Sequence, residues 1–230
     1  MNNRRKFLLH GSMAATALLA TKPFTSLANS LSPVTGLRIN NNSLVLAHTG
    51  CSLGNTQPLE QIAKLKNNYA NLIMLHAGNE AADSGYDASM YADAPNAVAA
   101  NDYRIVYKGN IKTGIISANK DAASAAGIND LAVYLKKEKD CHLVVCLSQL
   151  GYKADNHLDD LSLAATSTHI DVIIGGHADN FCKHPLTALN KNKEEVIINH
   201  AADTGLAIRK IEIAFDKRGR KNNVAFTKSC

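Results

Sequence analysis

Residues 173–180 read IIGGHADN: an apolar run, two glycines that let the backbone turn, then His177 two positions ahead of Asp179. An imidazole and a carboxylate together at the end of a buried strand have the chemistry of divalent-cation ligands. Three other segments share this build. They are HTGCSLG from His48, HAGNE from His76 and LSQLGY from Leu147. Other chemistries lack support. Ser148 lies in no G-x-S-x-G elbow, there is no phosphate-cradling G-x-x-x-x-G-K-[ST] loop, and the paired-cysteine signature of zinc deaminases is missing.

The elements that must position these residues alternate between strand and helix. Leu44–His48 is a buried first strand, and Pro58 opens a helix whose Ile62, Leu65 and Tyr69 form one apolar face. NLIMLHAG is a second short strand, so the order is that of a parallel α/β unit with chemistry at its strand-end loops. Residues 79–102 read as loop with one short helix. Alternation on both sides of Gly109-Asn110 predicts a hairpin. Asn129 is expected to cap a helix carrying Leu131, Tyr134 and Leu135. HLVVCLS and IDVIIGG are continuous apolar strands, with a helix holding Leu158, Leu161 and Ala165 between them. EVIINHA, LAIRKIEIAFD and VAFTKSC complete a strand-rich end with a turn at Lys217-Arg218-Gly219-Arg220.

The chain of 230 residues, 46% hydrophobic and 20% charged, has the composition of one folded domain. Of its net charge of +5, four units come from Arg4, Arg5, Lys6 and Lys22, which leaves +1 on the remainder. That balance gives no electrostatic case for nucleic acid or a polybasic membrane surface. The four cations lie in a leader: a charged start, a mildly apolar middle, and the small-residue site Ser26-Leu27-Ala28. This pattern predicts an export signal over 1–28, a linker over 29–43 and one domain over 44–230. The paired arginines resemble the twin-arginine type, placing the protein across a bacterial inner membrane, periplasmic or secreted. The apolar middle falls short of the roughly 20 residues a membrane span needs, so no transmembrane segment is expected in the mature protein. Five cysteines leave at least one unpaired in a monomer. Cys141 and Cys146, read as sharing a strand with side chains on opposite faces, are expected to pack in the core unpaired.

The four loops, in their order and setting, resemble those of the calcineurin-like metallophosphoesterases, specifically the 5'-nucleotidase type, with the densest similarity from Tyr103 to Gly219. The resemblance implies a four-layer α-β-β-α sandwich of two mixed sheets. It also implies two divalent ions, manganese or zinc, that clamp a phosphate and generate a hydroxide nucleophile. Family positions carry over residue by residue. His48, Thr49 and Gly54 match the first loop, but its two ligand positions hold Cys51 and Leu53. The bridging carboxylate position holds Asn79. Asp93 and Ala94 stand at the asparagine ligand and the catalytic histidine, Gln149 at a ligand histidine, and His177 and Asp179 at the final histidine pair.

Only His177 retains the family's ligand type without change. The resemblance therefore implies metal-dependent hydrolysis of phosphate esters as the ancestral reaction, and the substitutions predict that metal and activity are largely lost. On this reading His177 is a residual histidine and the protein serves in binding or interaction. The alternative is an active phosphohydrolase with a reduced, single-ion site of Cys51, His177 and Asp179. His48 and His76 are expected to be structural, and His200 and Asp203 lie where an anion could bind. Family enzymes carry a further substrate-recognition domain, so a separate nucleotide-recognition partner chain is expected.

Overall fold

A computed structural model describes residues 41–49, 59–77, 103–118, 124–154, 157–176, 184–200 and 208–229. The chain divides into the units Met1–Gly36 and Leu37–Cys230, and every described residue lies in the second. The expected leader therefore lies outside the described residues. Among them, no helix is long and apolar enough to cross a membrane.

Strand β1 (Ser43–Thr49) is followed by helix α1 (Leu59–Asn68) and strand β2 (Leu72–His76). β1 and β2 pair in parallel, with Leu46 opposite Ile73 and His48 opposite Leu75. This is the parallel unit read from the sequence. Two strands from the far end of the chain, β9 (Ile208–Phe215) and β10 (Lys221–Ser229), complete a sheet in the order β10-β9-β1-β2. Side chains alternate across it. Leu44 and Leu46 share a face with Ile213 and Ile211, and Val45 and Ala47 share the other with Glu212 and Lys210. α1 docks on this second face, where the Lys210 ammonium donates to the Tyr69 hydroxyl at 2.6 Å and lies 2.6 Å from Glu212.

The second sheet has six strands, β3 (Tyr103–Lys108), β4 (Ile111–Ala118), β5 (Leu143–Ser148), β6 (Val172–Gly175), β7 (Leu186–Leu189) and β8 (Glu195–His200). Their order is β3-β4-β5-β6-β8-β7, with the four middle strands parallel and both edges antiparallel. One face, through Val145, Leu147, Ile174 and Ile197, joins Leu44, Leu46 and Ile211 in a core between the sheets. The other, through Val144, Cys146, Ile173 and Ile198, packs against helices α2 (Ala125–Lys137) and α3 (Asp160–Thr166). Both sheets are mixed and each carries helix on its outer face, so the expected four-layer α-β-β-α sandwich is what the chain forms.

The hairpin at Gly109-Asn110 forms as expected, with Gly109 at φ +56° where a side chain would be strained. The turn after β9 places Gly219 at φ +74°.

Four local readings need correction. The cap of α2 is Ser124, which accepts the Gly127 N–H at 3.0 Å. Asn129 lies inside the helix and spends its carbonyl on the backbone N–H and hydroxyl of Thr168. α3 begins at Asp160, capped by Asp159 in a reciprocal box with Ser162, and buries Asp160, Leu163 and Ala164 while Ala165 is exposed. Its inward face is turned by the buried carboxylate described below. Cys141 precedes β5, and both cysteines, free and buried, pack into the same outer core. Strand β7 has no counterpart in the sequence reading. It is a short edge strand alternating between half-buried and exposed residues, and it takes its place from pairing with β8.

Candidate functional site

The parallel strands β1 and β2 of one sheet and β5, β6 and β8 of the other end on the same side of the molecule. The demonstration is a backbone contact. A Cβ placed on Gly176, just after β6, would lie 1.8 Å from the Ala77 carbonyl oxygen, just after β2. Only glycine permits that approach. The Gly176 N–H also reaches the Ser148 carbonyl at 2.9 Å, and the Ala77 N–H reaches that of Thr49 at 3.1 Å. The points from which four strand-end loops depart are thus tied together across both sheets.

Of the sequence-derived site residues, Gln149 is described. It stands half-buried at the end of β5, its N–H bonded to the Ala118 carbonyl at 2.8 Å. Cys51, Leu53, Asn79, Asp93, Ala94, His177, Asp179 and Asp203 lie outside the described residues. Among the described residues, no group of three His, Cys, Asp or Glu side chains could hold a metal ion.

On the outer face of the six-stranded sheet the strand ends build a buried polar network. Ser148, Asp160 and His200 are each 0% exposed. The Ser148 hydroxyl donates to Asp160 Oδ1 and accepts the Leu150 N–H at 3.1 Å. Asp160 Oδ2 lies 2.9 Å from His200 Nε2, although the two do not line up as a hydrogen bond. Tyr152 meets the His200 ring edge-on at 6.0 Å between centroids. A Cβ on Gly175 would lie 2.7 Å from that ring, so the glycine makes room for the imidazole. Serine, aspartate and histidine here do not form a nucleophilic relay. The carboxylate stands between the other two, the hydroxyl is sealed from solvent, and the imidazole has no access to it. The network instead anchors the first residue of α3 to the ends of β5 and β8.

His200 thus serves packing. Asp160 was not legible as a site residue, because nothing local in Asp159-Asp160 indicates that the second carboxylate is buried.

Between the sheets the strand ends carry His48, Asn199 and Arg209. His48 is fully buried. Burial, then the Arg209 charge, then His200, lower its pKa to about 3, so the ring is neutral. On the opposite face of the small sheet the Thr49 hydroxyl and His76 Nδ1 are 3.0 Å apart. His48 and His76 therefore stand at buried strand-end positions.

No family model and no curated protein matches the sequence. Solved structures do match the fold. The 5'-nucleotidase precursor from Thermus thermophilus aligns with a TM-score of 0.58 at 17% identity, covering 81% of this chain and 54% of its own. The NAD nucleotidase (NadN) of Haemophilus influenzae gives 0.59 at 15%, covering 80% and 49%. The calcineurin-like phosphoesterase YfkN of Bacillus subtilis gives 0.54 at 12%, covering 81% and 90%. The chain spans about half the length of the two nucleotidases. With its two mixed sheets, its helix on each outer face and its converging strand ends, the chain has the metallophosphoesterase fold of the 5'-nucleotidase type.

Proposed function

We propose that this chain is an exported protein of phosphoesterase fold that has given up two-metal hydrolysis and acts by binding. The observation that carries the reading is Gln149. It stands at the end of β5, beside the Ala77–Gly176 contact, where the resemblance implies a histidine ligand, and it offers only a neutral amide. Asn79 is likewise neutral where a bridging carboxylate is implied, and Leu53 has no donor atom. Of the family positions, only Cys51, Asp93 and Asp179 can carry negative charge, and none of them stands at the bridge. The Arg209 guanidinium adds positive charge at the same end. The residues present therefore do not fit a pair of divalent ions, and no hydrolytic step is derived through them. Export is supported by the twin-arginine pattern of the leader.

The test is hydrolysis of p-nitrophenyl phosphate and AMP by purified protein with added manganese or zinc. No turnover above the buffer rate is expected. Turnover that needs the metal and disappears in His177→Ala would overturn the reading in favour of the single-ion hydrolase of Cys51, His177 and Asp179. Elemental analysis of protein exported by its own leader gives a second readout: less than one ion per chain is expected.

A further inference from the structure

A sheet edge presents a row of backbone N–H and C=O groups ready to pair with another strand, so folded proteins shorten, cover or charge their edges. Among the described residues the two sheets have four edges, and three are managed in this way. β2 is buried along all its five residues, β7 is only four residues long, and β3 carries Arg104 and Lys108. β10 differs. It runs for nine residues and, among the described residues, pairs with β9 alone. Its register shift falls between Lys221 and Asn223, so from Asn223 onward the ladder is regular. Residues 223–227, NVAFT, contain no charge, proline or glycine. Asn223, Ala225, Phe226 and Thr227 are exposed, and Phe226 keeps 42% of its surface in solvent beside the fully buried Ile211. Lys221, just ahead of this stretch, is drawn to the other sheet, where its ammonium donates to the Glu195 carbonyl at 2.6 Å.

We propose that β10 is a self-association edge: two copies of this chain pair antiparallel along it, about a twofold axis through Ala225. The four-stranded sheet of each copy then continues into that of the other. The strand is self-complementary in this register. Phe226 falls opposite Val224 of the second copy, and by symmetry Val224 opposite its Phe226, which sets an aromatic against a β-branched residue twice. Both lie on the face that carries Ile211 and Ile213, so the pairing extends the apolar layer between the sheets. On the other face Asn223 falls opposite Thr227, and at the centre Ala225 meets its own copy. Neighbouring registers are poorer. Centring on Phe226 would set Val224 opposite Lys228, and centring on Val224 would set Phe226 opposite Asn222, where the ladder is irregular. The interface stands apart from the strand-end loops, so it does not depend on whether hydrolysis is retained.

Sedimentation velocity of the full chain over about a hundredfold range of concentration tests the proposal, and a monomer–dimer equilibrium is expected. Ala225→Lys and Ala225→Glu each set a charge against its own copy on the axis, and each should weaken dimerisation by about tenfold or more. An equimolar mixture of the two variants should recover the dimer, because lysine then faces glutamate across the axis. In the wild-type chain, which needs no variant to fold, amide exchange within residues 223–227 should slow as concentration rises. A monomer at every concentration, Ala225 variants of native circular dichroism that associate like wild type, a mixture no better than either variant alone, or exchange independent of concentration would each overturn the proposal. Co-purification of a different chain that protects these amides would overturn the second copy in favour of a foreign strand.

Discussion

The Asp160 carboxylate lies 2.9 Å from the His200 ring, joining the first residue of α3 to the last residue of β8 in a setting that excludes water from both. The same carboxylate takes the Ser148 hydroxyl from β5. One side chain therefore fixes a helix end and two parallel strand ends, the strands from which candidate loops depart. In an interior of low dielectric, removal of one partner costs more than the contact itself contributes, because the others are left unsatisfied.

Asp160→Ala is accordingly expected to destabilise the fold by about 1–3 kcal/mol, the cost of leaving the buried Ser148 hydroxyl without its acceptor. Ser148→Ala is expected to cost about 1–3 kcal/mol. Urea unfolding of both single variants and the double should show a coupling of about 0.5–3 kcal/mol. Strictly additive effects would show that the two side chains do not act together.

The two adjacent glycines should differ in tolerance. Gly175→Ala presses a methyl on the His200 side chain and is expected to cost about 1–3 kcal/mol. Gly176→Ala sets it 1.8 Å from a backbone carbonyl, which cannot rotate aside, and should cost more. Equal unfolding midpoints for the two variants would argue against the backbone contact between β2 and β6.

Stability should fall in mild acid through His48. Its folded pKa of about 3 lies below the ordinary value of 6.5, so between those limits the unfolded chain binds a proton that the folded chain refuses. Stability from this group is thus full above pH 6.5 and is lost progressively toward pH 3, with a slope of up to about 1.4 kcal/mol per pH unit. Urea midpoints of wild type and His48→Gln, compared at about pH 7 and about pH 4.5, should diverge in the sense that wild type loses more. Parallel pH profiles would remove His48 as the cause.

Cys141 and Cys146 should be free thiols that resist alkylation in the native protein, since burial raises the pKa of both and disfavours the reactive thiolate. Mass spectrometry after iodoacetamide treatment without reductant should find both labelled in denaturant and neither labelled rapidly in the folded state. A disulfide to either residue would contradict the packing described for the outer core.

The sequence determined the elements whose signals are local. Continuous apolar runs became β1, β2, β5, β6 and β8, and Gly109-Asn110 became a hairpin because a turn needing positive φ selects glycine. The loops at 48, 76, 147 and 175 identified the fold through their residue types and order, and Gln149 could be placed at a strand end from sequence alone. Tertiary structure decided what depends on distant partners. Ser124 caps α2 and leaves Asn129 inside the helix to bond Thr168, α3 turns a carboxylate inward where Ser148 and His200 meet it, and β7 forms its ladder with β8. Above all, His48, Asn199 and Arg209 come together because two sheets pack face to face. Hydrophobic periodicity can state that a face is buried, but it cannot state which side chain from the other sheet will stand against it.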